Sequence, residues 1–212
     1  MILVFDAANT LIYKPSLFKS FVEVLAEHGY LVEINDLKYL HKIITELTEF
    51  PDLTTKEFYD DFNSKLLLTL GIIPNSKLLD SIFSKCTYLP WEKYEDTIAI
   101  KELQYQKVVL SNFNSSLNDI INKLFPGEFS EIIISEKAKC RKPDLDFYKL
   151  LIKQLSVKAD EIIYIGDSVK LDLEPATKVG INAWMIDRDG YYPNCKKRLE
   201  SLHDLKTILS KK

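Results

Sequence analysis

Several features that would point to particular protein classes are scarce or absent in this chain of 212 residues. Its three cysteines, Cys86, Cys140 and Cys195, are an odd number without a CxxC spacing, which argues against a disulfide framework and a zinc site. Positive charge is not in excess, since the net charge is -3 and the pI is about 5.7, so we expect no nucleic-acid partner. No uncharged apolar stretch reaches membrane-spanning length, and we expect no membrane partner.

Positively, the composition predicts a folded protein with a sizeable core. Hydrophobic residues make up 46% and charged residues 28% of the chain, so disorder is not expected. A length of 212 residues suits one large domain or a core with a small inserted one. Because Met1 leads straight into an apolar strand-like run, we expect no signal peptide and a cytoplasmic location.

The stretch around which we interpret the rest of the chain is its beginning. Residues 2–5 form a short apolar run, which is typical of a strand buried on both faces. Asp6 follows at the point where this strand should end, and Asn9 and Thr10 are turn-forming residues. Open α/β sheets place their chemistry at the carboxyl ends of central strands, so Asp6 is the first candidate functional residue. The alternative is a strand-end aspartate that only stabilises a turn.

Residues 15–89 carry a helical pattern almost throughout. Apolar side chains recur at helical spacing in four segments, which predicts helices beginning near Leu17, near Leu37, at Thr54 or Thr55, and at Ser76. Glycines at positions 29 and 71 are expected to end two of them. The sequence therefore predicts a helical block inserted directly after the first strand.

Beyond that block, strands alternate with helices. Further strands are predicted at 107–110, 132–134, 161–165 and 182–186, with helices at 144–155 and 173–179 between some of them. This alternation favours a Rossmann-like α/β fold with a parallel sheet and right-handed crossovers.

Polar residues stand at the ends of these later strands as well. Ser111 and Asn112 end one strand, and Asp167 ends another, with Asp172 five residues on. Lys142 lies in the basic segment that follows the strand at 132–134. In a parallel sheet these groups would share one edge with Asp6.

The residue types at that edge predict phosphoryl transfer with a divalent cation. Carboxylates brought together repel one another unless a cation neutralises them, and ligation by oxygen alone favours Mg²⁺. A serine hydroxyl and a lysine ammonium, here Ser111 and Lys142, suit a transferring phosphoryl group. An ionised Asp6 beside Mg²⁺ could act as the nucleophile and form an aspartyl-phosphate.

Four segments in order also resemble the four motifs of the haloacid dehalogenase-like hydrolases. They are residues 5–11 (FDAANTL), 110–112 (LSN), 142–144 (KPD) and 166–172, which begins GDS and ends in Asp172. Each motif is weak alone, but all four occur in order at predicted strand ends. The resemblance covers nearly the whole chain and implies a Rossmann-like core of residues 1–14 and 90–212 with an inserted helical cap domain of residues 15–89.

The resemblance also implies a role for each matched residue. The implied catalytic residues are Asp6 as nucleophile, Ser111 and Lys142. The implied Mg²⁺ ligands are Asp6, the backbone carbonyl of Ala8, Asp167 and Asp172, the last of which either ligates the ion or holds a metal-bound water. The implied substrate-binding residues are Asn112 and Thr10. Turn or helix-cap roles are the alternative for each, above all for Asp172, which could cap a helix beginning at Leu173.

Two positions depart from the family pattern. Asn9 stands where the family usually has glycine, and asparagine tolerates the left-handed backbone there. Ala8 stands where the family's phosphatases have an aspartate that protonates the leaving group, and alanine cannot carry that proton. A general acid contributes about 10²–10⁴-fold to rate, so Ala8 bears directly on function.

Three interpretations follow from Ala8. The enzyme could act on a substrate whose leaving group needs no proton, such as an acyl or aryl phosphate. It could perform another reaction of the family, either phosphonate cleavage or dehalogenation of 2-haloacids. It could also be a catalytically weak or non-catalytic relative that binds phosphate or a partner.

We favour the first interpretation. Dehalogenation needs no metal, so the intact Asp167 and Asp172 argue against it. Phosphonate cleavage needs a cap lysine, and a solvated helix face better explains Lys38, Lys42, Lys56 and Lys65. The sequence thus predicts a Mg²⁺-dependent phosphatase acting on a small phosphorylated molecule, with its substrate and oligomeric state left open.

Overall fold

The computed structural model describes residues 1–210, and the chain folds into two compact units. One unit consists of Met1–Tyr13 together with the residues from Glu92 onward. The other is Lys14–Trp91.

The first unit is built on a six-stranded parallel sheet. Its strands are β1 (Ile2–Phe5), β4 (Gln106–Ser111), β5 (Glu131–Ile134), β6 (Ile162–Gly166), β7 (Asn182–Ile186) and β8 (Arg198–Leu199). Their order across the sheet is β5-β4-β1-β6-β7-β8, and every neighbouring pair is parallel. The Rossmann-like α/β class predicted from the sequence is confirmed.

Helices and a small antiparallel pair complete this unit. The helices are α5 (Ile98–Lys101), α6 (Leu117–Leu124), α7 (Ser135–Ala138), α8 (Leu145–Leu155), α9 (Glu174–Lys178) and α10 (Leu205–Leu209). Strands β2 (Ile12–Tyr13) and β3 (Glu92–Lys93) pair antiparallel. Short 3₁₀ turns at Glu95–Thr97, Ala159–Glu161 and Leu202–Asp204 and a π-helical turn at Val169–Leu173 join these elements.

The core of this unit explains why its strands read as continuous apolar runs. All four residues of β1 are buried, because the strand lies in the middle of the sheet and both of its faces are covered. Helix α8 contributes Phe147, Tyr148 and Leu151 to a cluster that also contains residues of β1, β4, β5 and β6.

The predicted elements beyond the helical block differ from the observed ones in detail. The helix predicted at 173–179 is α9, which begins at Glu174 and follows the π-helical turn. Pro175 is accommodated there because it lies in the first turn, where no intrahelical N–H is needed. Strand β8 and the β2–β3 pair, each of two residues, had no counterpart among the predictions since so short a segment shows no periodicity.

The second unit contains four helices. They are α1 (Leu17–Glu27), α2 (Ile34–Leu47), α3 (Lys56–Thr69) and α4 (Ser76–Cys86), close to the predicted segments. The side chain of Thr55 accepts a hydrogen bond from Phe58 N at the start of α3, and that of Asn75 accepts one from Leu78 N at the start of α4. Both helices therefore have a side-chain N-cap. Buried side chains from all four helices form one core cluster.

In residues 1–210, none of the helices combines the length and the apolar character that crossing a bilayer demands. That the helical unit serves as a cap domain stays a prediction.

The core of the first unit gives a stability prediction. Leu151 is fully buried in α8, so Leu151→Ala should lower the free energy of unfolding by about 2–5 kcal/mol through lost burial and a cavity. Urea denaturation measures this change. Leu31→Ala is the matched control, because Leu31 is 96% exposed and should change stability by less than about 0.5 kcal/mol. Equal effects of the two variants would contradict the packing described.

Candidate active site

The topology of the sheet brings three of the predicted site residues to one edge. Asp6 follows β1, Ser111 is the last residue of β4, and Asp167 follows β6. Strand β1 lies between β4 and β6, so the three carboxyl ends are adjacent. The chain also reverses its direction of sheet growth here, and this is where open α/β sheets bind ligands.

Asp6 lies at the centre of this cluster. Its Oδ1 accepts hydrogen bonds from the Ser111 hydroxyl at 3.0 Å and from Lys142 Nζ at 2.5 Å. Burial raises the pKa of Asp6 to about 7; Lys142 opposes this effect, whereas the charges of Asp172 and Asp167 reinforce it. The carboxylate form therefore depends on nearby positive charge.

Lys142 supplies that charge. Its ammonium contacts Asp6, Asp172 Oδ1 at 2.7 Å and the hydroxyl of Tyr164 at 3.0 Å, and the side chain is buried. Burial alone would lower the pKa of Lys142, but the carboxylates of Asp172 and Asp6 raise it above its ordinary value. The lysine is thus held as a cation between two acids.

Asp172 is fixed on both of its oxygens. Oδ1 accepts from Lys142 and from the Tyr164 hydroxyl at 2.8 Å, and Oδ2 accepts from the backbone N–H of Ser168 at 3.0 Å. A Cβ built on Gly166 would lie 2.3 Å from Asp172 Cγ, so only glycine lets this carboxylate approach the end of β6. The alternative helix-capping role is not observed, since α9 begins at Glu174 without a side-chain cap.

Asn112 has a partner that the sequence did not suggest. Its Nδ2 donates to Lys142 O at 2.8 Å, and its Oδ1 accepts from Lys142 N at 2.8 Å. The side chain therefore hydrogen-bonds to both backbone polar groups of Lys142 and fixes the position of the lysine. Its role in substrate binding stays a prediction.

The loop after Asp6 contains the two positions that depart from the family pattern. Asn9 takes a left-handed φ of 59°, as predicted for an asparagine in place of glycine. Ala8 is half-buried and bridges to Ile12, but its methyl group offers no proton. Thr10 is fully buried, and in the described part of the chain its hydroxyl has no hydrogen-bond partner. Its substrate-binding role stays a prediction.

The acidic side chains could hold a divalent cation. Asp6, Asp167 and Asp172 each offer a carboxylate oxygen, and these three oxygens lie within 4.8 Å of one another. A donor set made only of oxygen suits Mg²⁺, which binds through one or two carboxylates and keeps several waters. The residues thus fit the predicted ion, and their mutual repulsion would be relieved by it.

Tyr164 is the site residue that the sequence analysis missed. The strand predicted at 161–165 includes this residue without assigning it a role, yet its hydroxyl joins Lys142 to Asp172. Burial raises the pKa of Tyr164 well above its ordinary value, so the hydroxyl keeps its proton. A tyrosine within an otherwise aliphatic strand was the available signal, because a buried phenol usually needs a polar partner.

The chain is similar in sequence to known proteins. A sequence model of the haloacid dehalogenase-like hydrolases matches residues 1–180. A glyceraldehyde 3-phosphate phosphatase of Methanopyrus kandleri is 23% identical over 202 residues, which cover 88% of this chain and 84% of that protein. One of the same name from Methanocaldococcus jannaschii is 40% identical over 53 residues, only 25% of this chain and 23% of that protein.

Solved structures show the same fold over nearly the whole chain. A HAD-hydrolase of Bacillus subtilis bound to magnesium superposes with a TM-score of 0.69 at 19% identity, covering 98% of this chain and 97% of that one. The L-2-haloacid dehalogenase RSc1362 also gives a TM-score of 0.69, at 16% identity and with coverage of 99% and 98%. Since hydrolases of different chemistry share the fold, only the site residues can distinguish among them.

The contact between Gly166 and Asp172 generates a prediction. Gly166→Ala should lower the free energy of unfolding by about 1–3 kcal/mol, because the new methyl group collides with a carboxylate that Lys142, Tyr164 and Ser168 hold in place. Urea denaturation measures the change.

A double-mutant cycle with Asp172→Ala provides the control. Once the carboxylate is removed, adding the methyl group should cost much less than it does in the wild type. An equal cost in both backgrounds would show that the collision with Asp172 is not the cause.

Proposed function

We propose, because the chain belongs to the haloacid dehalogenase-like hydrolases, that it is a Mg²⁺-dependent phosphatase acting on a small phosphorylated molecule. The family makes it a hydrolase. The proposal adds the metal, the phosphorylated substrate and a covalent intermediate on Asp6.

One observation carries this proposal. A single buried acid, Asp6, is contacted by a serine hydroxyl and by a lysine ammonium, and it lies with Asp167 and Asp172 in one group of carboxylates. A nucleophile, donors for phosphoryl oxygens and an all-oxygen cation site are the parts that phosphoryl transfer needs. The two relatives named glyceraldehyde 3-phosphate phosphatase support a phosphatase that acts on a small phosphorylated molecule.

The reaction proceeds in two steps. A carboxylate oxygen of Asp6 attacks the phosphorus of the substrate, an oxygen–phosphorus bond forms, and the bond to the leaving oxygen breaks. Water then attacks the phosphorus of the aspartyl-phosphate and the bond between phosphorus and the Asp6 oxygen breaks. Inorganic phosphate leaves with one proton of that water, the other proton passes to solvent, and the Asp6 carboxylate is restored. Ser111 and Lys142, which both contact Asp6, donate hydrogen bonds to the phosphoryl oxygens in this proposal, where negative charge accumulates.

Asp6, Asp167 and the backbone carbonyl of Ala8 would hold the cation directly. Asp172, which the sequence also suggested as a ligand, would instead support these groups, because both of its oxygens already accept hydrogen bonds from the protein. When bound, Mg²⁺ offsets the negative charge shared by the carboxylates and the phosphoryl group. Lys142, fixed by Asn112 and Tyr164, contributes a second and permanent positive charge.

Ala8 narrows the substrate class within this proposal. An alkyl phosphate leaves as a strongly basic alkoxide unless an acid protonates it, and alanine provides no such acid. Acyl and aryl phosphates have weakly basic leaving groups and need no proton. We therefore expect the enzyme to favour acyl or aryl phosphates over alkyl phosphates such as glyceraldehyde 3-phosphate.

The other interpretations of the sequence make different demands on the site. Dehalogenation of a 2-haloacid would leave the cation-binding acids without a use, since it needs no metal. A relative that only binds phosphate would need neither a nucleophile nor water. Metal-independent halide release from a 2-haloacid, or a folded protein that binds Mg²⁺ and turns over no phosphate compound, would overturn the proposal.

The nucleophile gives the first functional prediction. Asp6→Asn should lower phosphate release from acetyl phosphate and p-nitrophenyl phosphate, with Mg²⁺ present, by more than about 10⁴-fold, because the amide cannot form the covalent intermediate. A colorimetric phosphate assay measures the rate.

Asp146→Asn is the matched control for that variant. Asp146 lies in α8, its side chain is 81% exposed, and it pairs with Lys149 on the surface. The activity of Asp146→Asn should therefore equal that of the wild type. Retention of substantial activity by Asp6→Asn would remove the proposed nucleophile from the mechanism.

The missing general acid gives the second functional prediction. Ala8→Asp should raise kcat/KM for glyceraldehyde 3-phosphate by about 10²-fold or more, and that for p-nitrophenyl phosphate much less, because only the alkoxide gains from a proton. Ala8→Asn introduces a side chain of the same size as aspartate that cannot act as an acid, so it should not raise kcat/KM for either substrate. If Asp and Asn at this position act alike, acid deficiency does not explain the substrate range.

A further inference from the structure

Arg188 ties together segments that are far apart in the sequence. It lies two residues beyond β7, and its guanidinium donates to four acceptor atoms. Nε and Nη2 donate to the two carboxylate oxygens of Asp96, each at 2.9 Å. Nη1 donates to the carbonyl of Asn9 at 3.1 Å, and Nη2 also donates to the carbonyl of Thr10 at 2.9 Å.

Asp96 is a firm anchor for this arginine. Besides the guanidinium, it accepts hydrogen bonds from the backbone N–H of Leu202 at 3.0 Å and from the Ser201 hydroxyl at 3.3 Å. Burial would raise the pKa of Asp96, but Arg188 and these donors together hold it below its ordinary value. A bidentate pair of this kind fixes direction as well as distance.

An aromatic ring adds a third constraint on the guanidinium. The guanidinium carbon of Arg188 lies 3.8 Å from the centroid of the Tyr94 ring, which in turn stacks on Tyr13 at 4.2 Å. Only a planar cation can stack on a ring, pair with a carboxylate and reach two carbonyls together. Lysine could replace one of these contacts but not all of them.

The two carbonyls belong to the loop that leads from the nucleophile to β2. Within the loop, Asn9 N donates to Ile12 O at 2.7 Å and Leu11 N donates to Ala7 O at 2.8 Å. The carbonyls of Asn9 and Thr10 are bound from outside the loop, by Arg188. The arginine therefore determines where the backbone lies directly after Ala8.

We propose that Arg188 is a positioning residue for the cation site. By holding the Asn9 and Thr10 carbonyls, it keeps the Ala8 carbonyl and the Asp6 carboxylate at the spacing that one divalent cation requires. This inference rests on the function proposed above, because it needs those two groups to be ligands. Partners beyond the ligands commonly change metal affinity by about 10–100-fold when removed.

The test measures cation binding apart from turnover. Mn²⁺, a paramagnetic probe, is titrated into wild type and Arg188→Ala, and free Mn²⁺ is followed by electron paramagnetic resonance. The dissociation constant for Mn²⁺ should rise by about 10-fold or more in Arg188→Ala. The Mg²⁺ concentration for half-maximal activity should rise in parallel, while kcat at saturating Mg²⁺ falls less.

Arg198→Ala is the matched control. Arg198 is an arginine of similar exposure, 23% against 19% for the side chain of Arg188, and it also pairs with an aspartate, the buried Asp187. In the described part of the chain, the guanidinium of Arg198 donates to Asp187 and Glu200 and not to the carbonyls of Asn9 and Thr10. Arg198→Ala should lower the melting temperature comparably but leave Mn²⁺ affinity unchanged.

The conservative variant separates positioning from general stability. Arg188→Lys keeps the charge beside Asp96 but loses the guanidinium that donates to the carbonyls of both Asn9 and Thr10. The Mn²⁺ affinity of this variant should therefore stay below that of the wild type even if its melting temperature recovers. Unchanged Mn²⁺ affinity in Arg188→Ala, or an equal loss in Arg198→Ala, would overturn the inference and leave the proposed function intact. No Mn²⁺ binding by the wild type would overturn both.

Discussion

The site depends on one electrostatic constraint, which is that buried carboxylates at the end of a sheet need positive charge within contact distance. Lys142 meets part of this need by bridging Asp6 and Asp172. Removing water from such a group costs several kcal/mol per ion unless partners replace the lost hydration. The hydrogen bonds of Asn112 to the Lys142 backbone and of the Tyr164 hydroxyl to Lys142 Nζ hold the ammonium where it offsets that cost.

The parallel sheet explains how these residues come together. With β1 between β4 and β6, the groups that follow or end the three strands become neighbours, although more than 100 residues separate Asp6 from Ser111 and Asp167. Rigid strands hold Asp6 and Ser111 more precisely than loops could. Gly166 then lets Asp172 approach the sheet from the π-helical turn that follows. Fold and chemistry are thus linked through the positions of strand ends.

The sequence predicts those site residues whose positions follow from the ends of strands and from periodic patterns of apolar residues. It predicted site roles for Asp6, Ser111, Lys142, Asp167 and Asp172. The structure brings four of them into direct contacts, and a carboxylate oxygen of the fifth, Asp167, lies within 4.8 Å of those of Asp6 and Asp172. It missed contacts that depend on side-chain direction in three dimensions. The sequence around each residue does not show that the Tyr164 hydroxyl reaches Lys142, that Asn112 hydrogen-bonds to the backbone of Lys142, or that Arg188 binds a loop near the start of the chain.

The proposed function requires Asp6 and Asp167 to share one divalent cation beside Lys142. The most direct measurement is a crystal structure grown with Mn²⁺, with anomalous data collected to locate the ion. We expect a single anomalous peak within bonding distance of both carboxylates, and the loss of that peak in Asp167→Asn. A peak elsewhere, or none at this edge of the sheet at saturating Mn²⁺, would contradict it.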